Sequence, residues 1–131
     1  MKYKVADYMS APAVTVGEDQ LLSSCKRMMA EHNIRHLPVL RGGQSVGILS
    51  DRDIKLAYAV EHEKANNLLA KDVFSDEVFT AKPGDDLGMV AGKMAEAGLG
   101  SAVVVDDRGH VVGIFTATDA CRVVGMVCSG G

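Results

Sequence analysis

Val46-Gly47-Ile48-Leu49-Ser50-Asp51-Arg52-Asp53 and Val112-Gly113-Ile114-Phe115-Thr116-Ala117-Thr118-Asp119 are two versions of one phrase, 66 positions apart (119 − 53). In each, a glycine sits inside a short apolar run, a Ser or Thr ends the run, and an Asp follows three residues later. The run has the length of a strand, and a hydroxyl with a carboxylate three residues on is the start signal of a helix. From residue 13 the same shift aligns the halves without a gap, placing Asp19, Leu21 and Met28 on Asp85, Leu87 and Met94, and Val39 and Gly43 on Val105 and Gly109. Upstream, Asp7-Tyr8-Met9-Ser10 returns as Asp72-Val73-Phe74-Ser75. The chain is therefore a duplication, and two copies are too few for a solenoid, which needs about three stacking units. Two copies packed face to face bury each other, so the reading is one compact α+β domain rather than two beads.

Working outward, residues 18–32 carry Leu21, Leu22, Cys25, Met28 and Met29 at helical spacing, with Asn33 as a stop. In the second copy Lys82-Pro83-Gly84-Asp85 opens the equivalent helix, with Pro83 in its first turn, and Gly98 closes it. Strands follow at Ile34–Leu40 and Leu99–Val105, then turns at Arg41–Gln44 and Asp107–His110, then strands at Ser45–Leu49 and Val111–Phe115. A second helix starts at Ser50 or Thr116, and a short leading strand lies near Val14-Thr15-Val16. Glu61–Asn67 is polar and free of Pro and Gly, which suits a helical continuation or a tight surface connector.

Composition narrows the function classes. The net charge of −3 lacks the basic field a nucleic-acid surface needs, and aromatics at 5% offer no stacking platform. No window approaches the roughly 18 apolar residues of a membrane span, and the first residues lack a signal-peptide core. A cytoplasmic location is expected. Cys25, Cys121 and Cys128 form neither a CxxC pair nor a disulfide framework, so reduced thiols are expected. His32 and His36 lack further ligands at metal spacing, and no metal is expected. No nucleophile–base pair or phosphate loop supports an enzyme.

The signature admits two physical readings. A strand glycine allows close approach of a backbone or ligand, and the helix N-terminus beyond it attracts phosphate oxygens. Ser-x-x-Asp and Thr-x-x-Asp are equally the capping-box pattern, which satisfies the helix's first amides without a ligand.

The duplicated unit resembles the cystathionine-β-synthase (CBS) domain pair, or Bateman module. The resemblance rests on Val5–Ser10, on Ile34-Arg35-His36-Leu37-Pro38-Val39 and on the signature in both copies, and it covers nearly the whole chain. It implies a tandem pair of repeats (1–60 and 72–131, joined by 61–71), each a small, mostly antiparallel three-stranded sheet with two helices, packed with pseudo-two-fold symmetry. It also implies an adenosine-containing regulatory ligand (AMP, ADP, ATP, S-adenosylmethionine or NAD) in the cleft between repeats, no obligatory cofactor, a homodimer, and an energy-sensing signal to an unknown regulated protein. The alternative is a structural dimerisation module with empty clefts. The ligand-binding residues implied are Thr15, Arg35, His36, Pro38, Gly47, Ser50, Arg52 and Asp53 in the first copy, and Thr80, Ser101, Gly113, Thr116 and Asp119 in the second.

Within that set, Asp53 and Asp119 would take the ribose hydroxyls. Arg35, His36, Arg52 and Lys55 face Ser101, Ala102, Thr118 and Cys121 under the 66-residue shift, so phosphate neutralisation falls to the first copy. The second copy suits a nucleoside, a sulfonium ligand or nothing. Gly88 and Gly92 weaken a helix by roughly 1 kcal/mol each, which suggests close backbone approach at a repeat contact or dimer face.

Overall fold

The computed structural model describes residues 2–130. In chain order its helices are α1 (Val5–Tyr8), α2 (Leu22–His32), α3 (Asp51–Glu61), α4 (Leu87–Ala97) and α5 (Ala117–Gly130). The strands are β1 (Val16–Gly17), β2 (His36–Arg41), β3 (Gln44–Ser50), β4 (Thr80–Ala81), β5 (Ser101–Val105) and β6 (Val111–Thr116). They form two three-stranded mixed sheets, β1-β2-β3 and β4-β5-β6. In each, a two-residue strand runs parallel to the central strand, which pairs antiparallel with the next.

Two compact units result: Val14–Val78, and Met1–Ala13 together with Phe79–Gly131. Each repeat's leading segment thus belongs to the unit of the other repeat. Ser10 and Ile114 exchange backbone hydrogen bonds of 2.8 and 2.9 Å, and Ser75 and Ile48 do the same at 3.0 and 2.9 Å. The stretch 61–71 is mostly 3-10 turn, His62–Asn67 and Ala70–Asp72, and it is anchored in the first unit. Ala65 and Ala70 are fully buried, and the Leu22 and Ala70 amides donate to the Leu68 and Gln20 carbonyls at 2.7 and 2.8 Å.

The hairpins decide how the repeats superpose. Gly42 and Gly43 both have positive φ (56° and 83°), which a two-residue turn of this twist requires and glycine adopts without strain. Four residues separate the paired Leu40 and Ser45, whereas five separate Val105 and Val111. In the longer loop Asp106 Oδ1 accepts from the Arg108 and His110 amides, each at 2.9 Å, and Gly109 takes φ 82°. The shift is therefore 65 before the hairpin and 66 after it. The gapless 66-residue alignment is corrected accordingly: Leu22, Cys25 and Met29 match Leu87, Val90 and Met94, all buried, and Asn33 matches Gly98, both helix stops with positive φ (53° and 68°).

Two helix starts differ from expectation. Residues 18–21 form a turn ahead of α2, and α4 begins only at Leu87, capped by Asp86, whose carboxylate accepts from the Met89 amide at 3.1 Å. Pro83 stands in the preceding turn, across which the Lys82 amide donates to the Asp85 carboxylate at 2.9 Å. The first core gathers Val16, Leu22, Cys25, Met29, Leu37, Val39, Leu49 and Ile54; the second gathers Val5, Leu87, Val90, Met94, Val104 and Phe115. No helix among the described residues is long and apolar enough to cross a membrane.

Candidate functional site

In the first unit, β3 ends at Ser50, whose extended backbone (φ −104°, ψ 159°) turns the chain into α3. The Asp53 amide donates to Ser50 Oγ and the Ser50 amide donates to Asp53 Oδ2, both at 3.1 Å, which is a reciprocal capping box. The Asp51 amide donates to the Arg35 carbonyl at 2.8 Å, fastening the helix start to the chain entering β2. His36 stands opposite Ser50 in the sheet register. Arg35, His36, Ser50, Arg52 and Asp53 are thereby brought to one end of this sheet.

The charges at this end are incompletely matched. Arg35 and Arg52 are exposed, and among the described residues neither side chain has a hydrogen-bonding or ion-pair partner; Lys55, by contrast, pairs with Asp51 at 2.9 Å. Asp53 uses one carboxylate oxygen for the cap, and Oδ1 has no partner among the described residues. Burial pushes the His36 imidazole below its ordinary range; Asp53 and Asp51 oppose that shift and Arg35 adds to it.

In the second unit, Thr116 and Asp119 form the same box: the Thr116 amide donates to Asp119 Oδ2 at 3.0 Å and the Asp119 amide donates to Thr116 Oγ1 at 3.2 Å. This carboxylate takes three further contacts. The Thr116 hydroxyl reaches Oδ2 at 3.1 Å, Ser10 Oγ lies 3.1 and 3.4 Å from the two oxygens, and Arg122 Nη1 donates to Oδ1 at 2.7 Å. Asp119 is 2% exposed, the one buried charged residue among those described. Ser101 stands opposite Thr116, and the Ala117 amide donates to the Gly100 carbonyl at 3.0 Å. The residues matching Arg35 and His36 are thus Gly100 and Ser101, correcting the pairing with Ser101 and Ala102. The loss of charge in the second copy stands.

The signature glycines have a local reason. A Cβ on Gly47 would lie 2.7 Å from the Ser75 carbonyl oxygen and 3.0 Å from the Phe74 ring; one on Gly113 would lie 2.6 Å from Met9 Sδ and 3.0 Å from the Ser10 carbonyl oxygen. The close approach expected of a ligand is made here by the Asp-x-x-Ser segments. Pro38 is buried in β2, Thr15 just precedes β1, and Thr80 is exposed in β4. A Cβ on Gly92 would meet nothing within 4 Å, and one on Gly88 would make only an ordinary contact with Asp86 Oδ2 at 3.4 Å. Ser10 and Arg122 were not foreseen as partners of Asp119. Arg122 was readable as an i, i+3 neighbour on a helix, whereas Ser10 lies 109 residues away and only the strand bridge brings it close.

The CBS-domain profile matches residues 5–60 and 70–126, so the chain belongs to the CBS-domain family. A solved CBS domain pair, that of protein MJ0100 in complex with 5′-methylthioadenosine and S-adenosyl-L-methionine, superposes with a TM-score of 0.85 at 31% identity over 94% of this chain and 96% of that one. A putative acetoin utilization protein from Vibrio cholerae superposes at 0.87 with 26% identity, covering 98% and 94% of the two chains. Among curated relatives, L-aspartate semialdehyde sulfurtransferase of Methanocaldococcus jannaschii is 32% identical over 122 residues, which is 92% of this chain but 23% of that enzyme. The chain spans about a quarter of the enzymes it matches, and the shared part is the CBS module.

Proposed function

We propose that this chain is a non-catalytic, cytoplasmic regulatory module that binds an adenosine-containing ligand and signals its presence to a partner protein. The observation that carries the reading is the group of unpartnered Arg35 and Arg52 beside Asp53, whose Oδ1 is open, at the start of α3. Asp53 accepts hydrogen bonds from ribose hydroxyls, and the two guanidiniums take phosphate oxygens. Asp119, saturated by Ser10, Thr116 and Arg122, has no open oxygen to offer, so the first unit's signature makes the main ribose contact. The ligand class is supported by the adenosyl compounds bound to the CBS pair of protein MJ0100. A homodimer completes the reading, as an assembly whose arrangement the ligand biases.

A second reading has its own support. Both signatures are satisfied as capping boxes without any ligand, which is what a purely structural dimerisation module requires.

Calorimetric titration of adenosine, AMP, ADP, ATP and S-adenosylmethionine separates the two. Asp53→Ala is expected to weaken the preferred ligand by roughly 1.5–3 kcal/mol, through lost charge-assisted hydrogen bonds. Arg35→Ala weakens ATP more than adenosine. Equal losses for adenosine and ATP would remove the phosphate role, and no heat with any of the five at millimolar concentration would leave the structural module.

A further inference from the structure

The last helix carries a feature that ligand binding does not use. Asp119 is the only buried residue of α5 among those described, and its second half stands in solvent: Val124, Met126 and Val127 are 60%, 49% and 45% exposed. From Val123 to Gly130 there is no charged residue. Cys121 and Cys128 are both exposed and seven residues apart, which places them on one face two turns apart. At 1.5 Å per residue their Cα atoms are about 10.5 Å apart, beyond the roughly 7 Å limit of a disulfide, so they cannot pair within one chain. Cys25 is fully buried and offers no exposed partner.

We propose that this face of α5 associates with the same face of a second copy, the two helices antiparallel about a two-fold axis passing between Val124 and Gly125, with Cys121 of each copy facing Cys128 of the other. The inference rests on the homodimer proposed above and names its face and register. The axis follows from the sequence of the stripe. Position 124.5 is the midpoint of 121 and 128, so one operation pairs the thiols and sets Val124 over Gly125. A parallel arrangement would instead set valine on valine and glycine on glycine, bump on bump and gap on gap. The neutral stripe complements itself rather than a charged partner, and antiparallel helices oppose their dipoles favourably. With Cys and Gly at the crossing, axes about 8 Å apart bring facing Cα atoms into disulfide range. Eight residues of helix cover well under the roughly 1,200 Å² of a standard interface, so this face holds weakly when reduced and firmly when cross-linked.

A low-molecular-weight disulfide such as oxidised glutathione supplies the oxidising equivalents. One cysteine thiolate attacks it, forming a mixed disulfide and releasing one thiol. The facing cysteine of the other copy then displaces the second thiol and closes the protein S–S bond. Two such bonds per dimer consume two molecules of oxidised glutathione and release four thiols.

The test incubates the whole chain with oxidised glutathione, separates it without reductant and maps the disulfides by mass spectrometry. Wild type is expected to give a covalent dimer containing only Cys121–Cys128 bonds. Cys121→Ser and Cys128→Ser, each alone, are expected to stay monomeric under the same conditions, and their mixture to give a singly linked dimer. Because both positions are exposed, the substitutions leave folding intact, which circular dichroism checks. Cross-linking of either single variant alone, or glutathione adducts on monomers only, overturns the proposal. Light scattering under reductant reads the homodimer separately: a reduced dimer without Cys121–Cys128 bonds removes this face and leaves the dimer standing.

Discussion

The two signature turns are copies of one phrase that have been put to different uses. At Thr116-Ala117-Thr118-Asp119 the carboxylate is 2% exposed and receives Ser10, Thr116 and Arg122. At Ser50-Asp51-Arg52-Asp53 it is half-buried, holds the cap alone and faces Arg35 and Arg52 without contact. Even the matching serines diverge: Ser10 Oγ donates to Asp119, whereas Ser75 Oγ accepts from the Glu77 amide at 3.3 Å. The same cap thus becomes a structural hub where its carboxylate is sealed and a candidate binding group where it is left open.

The sharpest way to break this comparison is to delete each carboxylate. Asp119→Ala removes the buried acceptor shared by the half-buried Thr116 and the exposed Ser10 hydroxyl, and urea unfolding is expected to show a loss of roughly 2–3 kcal/mol. The ion pair to Arg122 adds little of that, because the arginine is 70% exposed. Asp53→Ala removes only a cap, at about 1 kcal/mol. Equal losses would mean that the two turns are not differentiated.

The glycines come next. At Gly47 an added Cβ meets the Ser75 carbonyl oxygen at 2.7 Å, which is tied down by its bridge to Ile48, while at Gly113 its nearest neighbour is the flexible Met9 sulfur. Gly47→Ala is expected to cost about 1–3 kcal/mol and Gly113→Ala to fall at the low end of that range, since a methionine can re-pack. The opposite order, read from unfolding midpoints, would show that the Ser10 carbonyl 3.0 Å from the Gly113 position is the harder obstacle.

Much of this was legible in the residues. Short apolar strands, glycine turns and stops at Asn33 and Gly98 are local signals, and local signals place the hairpins and helices. What escaped is what the chain settles at a distance. The extra residue in the Asp106–His110 loop is invisible when identities are sparse, because a gapless shift of 66 still matches Met28 to Met94, while burial matches Met29 to it. The assignment of Asp7–Ser10 to the unit of residues 79–131 depends on a strand bridge, which no periodicity encodes. The site followed the same division. The caps at Ser50 and Thr116 and the charges around the first were readable, whereas the closure of Asp119 was not.

A third, smaller contrast uses those serines. Ser10→Ala removes a hydroxyl from a buried carboxylate and is expected to cost about 1 kcal/mol, against less than about 0.5 kcal/mol for Ser75→Ala, whose hydroxyl meets only an exposed amide. Melting temperatures of the two variants check the order, and a larger shift for Ser75→Ala would contradict it.

The smallest effect is set by pH. His36 lies opposite Ser50, and the matching residue opposite Thr116 is Ser101, so only the first unit carries an imidazole there. Burial lowers its affinity for a proton in the folded chain, with Asp53 and Asp51 pulling it back up and Arg35 adding to the lowering. Above the ordinary imidazole value of 6.5 both folded and unfolded chains are neutral at this position, and it contributes no pH dependence. As the pH falls through that value the unfolded chain takes up a proton that the folded unit resists, so stability falls, and the fall ends once the folded imidazole is protonated as well. Unfolding curves between neutral and mildly acid pH should therefore show a modest acid-side loss that His36→Gln flattens. Asp53→Asn should deepen it, since it removes a charge that favours the imidazolium. A loss unchanged in His36→Gln would assign the acid sensitivity to other groups, and a shallower one in Asp53→Asn would show that the open carboxylate and the imidazole do not sense each other at this end of the sheet.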